Sequence, residues 1–282
     1  MTPAEVRGGA PAGPAAVGAW PSDPAAASTA VARDAAEVAR LAASSQTSGE
    51  LDALTSVCRA CPRLVAWREQ VAAERRASFA REPYWGRPVP AWGPGDARIA
   101  LVGLAPAAHG GNRTGRIFTG DRSGDWLYAG LHRAGLALLP TSVRLGDGQR
   151  LLGTRILAGV HCAPPANRPT SAERDACRPW LVRGLELLAP TLRVVVALGH
   201  FAWQTAWPAL RDAGYPGVPV RTPPFGHGAE VAAGGMSGGV TVLGMYHPSP
   251  RNTFTGLLTE PMTDAVLGRA ALLAGVRDRG EL

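Results

Sequence analysis

Four short apolar runs recur along the chain: Arg98 to Gly103, Arg155 to Val160, Arg193 to Leu198 and Val240 to Met245. Runs of this length without polar alternation have both faces covered, as strands of a parallel sheet do. Between the first two, Trp126, Leu127, Tyr128, Leu131, Leu136 and Leu139 predict a buried helix over 123–139. Between the second and third, Thr170-Ser-Ala-Glu173 forms a capping box that opens a helix through Leu181, Leu185 and Leu188. Pro179 is expected to end or kink its first part. Strand alternating with helix predicts an α/β fold, three layers α/β/α around a central four-stranded parallel sheet.

The front of the chain reads differently. Residues 1 to about 27 are Ala-, Pro- and Gly-rich with little to bury, and predict a disordered tail. Val31, Ala35, Val38 and Leu41 mark a short amphipathic helix, so residues 1–50 are expected to be tail apart from that helix, with one domain over 51–282. A second helical pattern runs from Leu51 to about Phe79 and carries Cys58, Cys61 and the charged run from Arg68 to Arg76. Glu82 to Gly95, with four prolines and Tyr84, Trp85 and Trp92, must be extended and packed by its aromatics.

Each strand is followed directly by a polar motif: GLAPAAHGGNRTGRIFTGD (Gly103 to Asp121), HCAPPANRPT, GHFAW and YHPSPRNTFTG. In open parallel sheets, ligands bind outside the carboxyl ends of the strands, so the four loops are expected to converge on one site. The first, glycine-rich and running into a helix start, offers free backbone N–H groups to an anion. The net charge of +7 favours an acidic partner, with nucleic acid first. Coding bias towards arginine explains the charge equally well. All 29 basic residues are arginine, so Schiff-base chemistry through a lysine is excluded. No GxxxxGK[ST] loop is present, which disfavours a nucleotide hydrolase. With neither a secretory signal pattern nor an apolar run of membrane-spanning length, a cytoplasmic protein is expected, and a monomer.

Four cysteines in a reducing compartment need another explanation than disulfides. Cys58 and Cys61 are two residues apart, and Cys162 and Cys177 fourteen, which fits four thiolates around zinc or an iron–sulfur cluster. Spacing alone leaves both open.

Together these motifs resemble the uracil-DNA glycosylase superfamily, and specifically its iron–sulfur branch, family 5 or B-type. GLAPAAHGGNRTGRIFTGD is similar to that family's first motif, HCAPPANRPT to its middle motif and YHPSPRNTFTG to its last; the cysteines fall as the family places them. The resemblance spans about 58–259 and implies hydrolysis of the N-glycosidic bond of uracil, and of other deaminated bases such as hypoxanthine and xanthine, in single- or double-stranded DNA. It also implies a [4Fe–4S] cluster on Cys58, Cys61, Cys162 and Cys177. Most branches carry a polar residue after the leading glycine of the first motif; here Leu104 and Ala105 follow Gly103, the family 5 pattern, and Asp121 is the family's replacement for the water-activating group.

On this reading Asp121 orients water and stabilises positive charge developing at C1′, and it equally suits a helix cap. His247 donates to the base carbonyl as it gains charge, and Asn167 reads a base edge or places the water. Phe118 stacks on the extruded base, with Gly103, Ala105, His109 and Asn112 lining its pocket. Arg116 is a weaker candidate beside them. Arg113 and Ser249 are expected on phosphates, and Arg251, Asn252, Thr253 and Phe254 in the loop that fills the gap left by the base. Without lysine, the enzyme is expected to be monofunctional, leaving an abasic site. A nucleic-acid-binding metalloprotein without catalysis is the alternative.

Overall fold

The computed structural model describes residues 13–234 and 239–276. Its sheet contains the four expected parallel strands, β1 (Ile99–Gly103), β2 (Thr154–Ala158), β3 (Val194–Leu198) and, after an added strand β4 (Glu230–Ala233), β5 (Val240–Met245). The order is β2-β1-β3-β5-β4, with β4 antiparallel to β5. This edge strand was not anticipated. Only its last residue is buried, so it lacks the apolar run that marks the other four.

Alternate positions of each central strand feed opposite layers. Ile99, Leu101, Val194 and Val196 pack with Leu127, Tyr128 and Leu131 of α5 (Arg122–Arg133) and with Val266 and Leu267 of α9 (Glu260–Ala274). Ala100, Val102, Val195 and Val242 pack on Leu181, Leu185 and Leu188 of α6 (Ser171–Leu188) and Trp203 and Trp207 of α7 (His200–Asp212). Each fully buried Leu, Ile or Val contributes about 1.5–3 kcal/mol, so the two clusters dominate the favourable side of folding.

Three boundaries differ from expectation for local reasons. Helix α6 opens on the Thr170–Glu173 capping box and runs through Pro179 without a break. Proline removes one hydrogen bond, to the carbonyl of the exposed Asp175, while Trp180, Leu181 and Leu185 anchor the next turn. The pattern from Leu51 to Phe79 divides into α2 (Ser48–Ser56), α3 (Pro62–Glu74) and a short turn of 3₁₀ helix, Ala77–Phe79. The break holds Cys58 and Cys61, with Pro62 starting α3. Helix α5 stops at Arg133, short of Leu139, where Gly135 adopts φ +73°.

The front of the chain also departs from the expected tail. Residues 1–12 lie outside the described residues, but from Gly13 onward the segment is packed. The Ala15 N–H donates to the Tyr84 and Trp85 carbonyls, Trp20 meets Trp85 edge-on at 5.9 Å, and Asp23 pairs with Arg87. Helix α1 (Ala35–Ser44) inserts Val38 and Leu41 against Trp180 of α6. Composition hid this because a few side chains, the partly buried Trp20 and the buried Ala32 among them, suffice to dock an otherwise featureless stretch. Among the described residues no helix is long and apolar enough to cross a membrane.

Candidate active site

The loop after β1 folds back over the strand ends. Gly103 closes β1, and a Cβ there would stand 2.9 Å from the Phe118 ring, so the glycine admits the aromatic onto the sheet rim. Phe118 takes φ +50°, and Ala166 and Asn167 in the middle motif take +52° and +55°. Among the described residues, three of the five non-glycine residues with positive φ thus fall in the proposed motifs, and such strain, about 1–3 kcal/mol each, concentrates at functional sites.

Asp121 is the N-cap of α5 and its Oδ1 accepts the Gly124 N–H at 2.9 Å. A Cβ at Gly110 would overlap its Oδ2, so the bare Gly110 backbone forms one wall of the carboxylate's niche. Burial raises the Asp121 pKa above the usual carboxylate value, against the backbone N–H groups that lower it. At a helix N-terminus the dipole helps keep this group ionised. Desolvation is the larger effect, and it gives a more basic carboxylate.

His247 follows β5, half-buried, its ring 5.8 Å from that of Phe118. Burial lowers its pKa to about 4, so it is neutral at physiological pH. Among the described residues no protein group hydrogen-bonds its ring; its backbone carbonyl accepts the Asn252 amide at 2.9 Å and the Ser249 N–H at 2.8 Å. A second bridge joins the same motifs, the Arg122 guanidinium lying 5.2 Å from the exposed Phe254 ring. The first and last motifs therefore meet, as the strand order β1-β3-β5 requires.

Other candidates are placed less simply. Asn167 is exposed, lining a cleft with Leu104 and the residues that follow it. Ala105 backs onto the apolar patch around Cys162. His109 is half-buried and shares a 3.0 Å hydrogen bond with the Tyr84 hydroxyl, through Nδ1. Burial, then Arg76 and Arg113, lower its pKa. Ser249 caps α8 (Pro250–Phe254), and Asn252 is spent on the His247 carbonyl, whereas Arg251, Phe254 and Leu257 project into solvent.

Three residues must be reassigned. Asn112 is fully buried, its amide donating to the Arg68 carbonyl at 3.2 Å, so it does not face a pocket. Arg113 is buried between Glu82, the His109 and Gly120 carbonyls and the Phe79 ring. Arg116 is buried against Asp147, Ser142 and Trp92. Both arginines fold the first motif instead of meeting phosphate. A charged side chain in a polar motif reads as surface, and nothing in the spacing showed that the acidic partners, Glu82 and Asp147, each lie 31 residues away.

Cys58, Cys61, Cys162 and Cys177 line one small cavity of about 20 Å³, roofed by Leu64, Val160 and Trp180. None forms a disulfide. Burial and then the other sulfurs raise Cys61 to about 11, and the same two causes push Cys177 well above its usual value. Cys58, Cys61 and Cys177, whose ionisation burial and the neighbouring sulfurs oppose, form with Cys162 a donor set suited to a cationic centre. Among the described residues, no three His, Cys, Asp or Glu side chains are drawn in to the spacing of a single bound ion. Sequence reasoning missed Arg68, read as part of a charged run. It is buried, its Nη1 donating to Cys162 Sγ at 2.9 Å and to the Cys58 carbonyl at 3.1 Å.

Comparison with known proteins places the chain in a family. The family model described as the uracil DNA glycosylase superfamily matches residues 90–269. A type-5 uracil-DNA glycosylase of Mycobacterium bovis is 57% identical over 80% of this chain and 82% of its own length. Those of Thermus thermophilus, 50% identical over 78% of this chain and 95% of the relative, and Pyrobaculum aerophilum, 47% over 77% and 89%, are similar along the same core. The chain belongs to the uracil DNA glycosylase superfamily, in the type-5 family of these relatives.

Proposed function

We propose that the protein excises uracil from DNA by hydrolysing the N-glycosidic bond, with Asp121 and His247 acting on opposite sides of that bond. The observation that carries this reading is the meeting of Phe118 with His247 on the same sheet rim that Gly110 and Asp121 close. The base, extruded from the duplex, stacks on Phe118. Neutral His247 donates to the carbonyl oxygen that gains charge as the bond breaks, and Asp121 holds water against C1′ and stabilises the developing cation. Asn167, exposed at the cleft, addresses the base edge. Without lysine, the product is an abasic site. Leu104 and Ala105, small or apolar where most branches carry a polar group, favour acceptance of hypoxanthine and xanthine as well as uracil. Incubation with duplexes bearing each base tests this: release of uracil supports the reading, and no release of any base contradicts it.

For the four cysteines we favour a [4Fe–4S] cluster over zinc. Tetrahedral zinc with 2.3 Å bonds would bring its sulfurs within about 4 Å of one another. The resemblance to the iron–sulfur branch carries this preference, and four cysteines lining one cavity are the donor set that such a cage needs. Bound there, it supplies cross-linking of α3, the middle motif and α6, not a reacting group. Four unbridged thiols support a reducing compartment such as the cytoplasm.

A further inference from the structure

Beside the base site lies a cleft of about 390 Å³, lined by Leu104, Asn167, Arg168, Pro169, Arg174 and Phe201. The uracil-excision reading uses only Leu104 and Asn167 of these. Two guanidiniums face the cleft and no carboxylate lines it. Arg168 is exposed and, among the described residues, has no acidic partner; Arg63 bonds only its carbonyl, at 3.3 Å. Arg174 donates to the Ser171 hydroxyl at 3.0 Å, and its buried Nε has no partner. Opposite stands Phe201, 58% exposed in the first turn of α7, touched only edge-on by its neighbour His200.

An exposed aromatic ring beside guanidiniums that, among the described residues, have no carboxylate partner matches one chemistry, a phosphodiester with its attached base. The surroundings hold both walls still. Arg63 grips Glu173 through both oxygens at 2.7 Å and so fixes the turn that carries Arg168, while Trp203 and Trp207 bury the inner face of α7. Building on the uracil-excision reading, we propose that this cleft holds the damaged strand next to the extruded nucleotide: Arg168 and Arg174 take the adjoining phosphate, and the neighbouring base stacks on Phe201. The cleft then contributes to the grip on single strands as well as duplexes, because neither contact needs the complementary strand.

The test uses the full chain and a fluorescent oligonucleotide carrying one uncleavable 2′-fluoro-deoxyuridine. Binding is followed by anisotropy as salt is raised. Phe201→Ala should weaken binding about tenfold, and should lose that effect on an oligonucleotide whose neighbouring nucleotides lack bases. Arg168→Ala with Arg174→Ala should weaken binding to both single-stranded probes, reduce the slope of log Kd against log salt by about 0.7, the loss of one phosphate contact, and raise KM for uracil excision by the same factor as Kd. Arg168→Lys should restore part of the loss. Kd, KM and salt slope all within twofold of the parent chain would overturn the proposal. So would an equal Phe201→Ala effect on both probes, which would mark a structural role. Uracil excision by the unmodified protein reports separately on the catalytic reading.

Discussion

Phe118 and His247, one from the loop after the first strand and one from the loop after the last, stand 5.8 Å apart with their rings inclined by 38°. The pairing fixes where a flat, extruded base can lie, since Phe118 is held down on Gly103 and His247 is anchored by its own backbone to Ser249 and Asn252. Removing the Phe118 ring by substitution to Ala should raise KM and lower kcat together, because the base loses its platform and His247 its neighbour. Steady-state kinetics on a uracil oligonucleotide check this.

Asp121 must be ionised to hold water, and burial places its pKa above the ordinary carboxylate range. The acid limb of kcat/KM should therefore fall at a pH above that of a free carboxylate, with activity rising as pH increases through it. A pH–rate profile of Asp121→Asn should lose this limb altogether.

The niche of Asp121 depends on the absent side chain at Gly110. Gly110→Ala forces a Cβ onto Asp121 Oδ2 and should lower kcat by about 10- to 100-fold while circular dichroism stays unchanged. A variant with parental kcat would show that the carboxylate need not sit where it does.

His161 and His247 are both held near a pKa of about 4 by burial. Unfolded, each titrates near 6.5, so between these values the unfolded chain binds more protons. Stability should be fully present above about pH 6.5 and decline as pH falls towards 4. Asp52, raised to about 6 by burial despite Arg155, acts in the opposite sense over part of the same window. Thermal melts against pH, repeated with His161→Gln, separate the contributions: the variant should show a shallower acid decline.

Replacing Cys162 by Ser should remove broad visible absorbance and iron together, and should lower the melting temperature. The cysteines tie the start of α3 to the middle motif and α6. A colourless parent protein containing zinc would contradict the cluster assignment.

The four buried strands and their motifs were legible because an apolar run bounded by glycine and polar residues leaves few alternatives. The positions of Asp121 at a helix start and His247 just after a strand were legible for the same reason, whereas the roles proposed for them and for Phe118 came from the motifs' resemblance to the family. Asn112, Arg113 and Arg116 were not. Their partners, Arg68, Glu82 and Asp147, are brought to them only by the fold, and a buried ion pair leaves no local pattern. Strand β4 was missed because its exposed face carries no periodicity, and the docking of residues 13–34 because it rests on single contacts scattered through a low-complexity stretch.

The central claim is that Asp121 and His247 work on one bond. Single-turnover excision of uracil from a duplex by Asp121→Asn, His247→Ala and the double variant tests it directly. The account predicts losses of about 10²- to 10⁴-fold for each single variant and a double variant less impaired than their product. Excision by Asp121→Asn at the parental rate would contradict it.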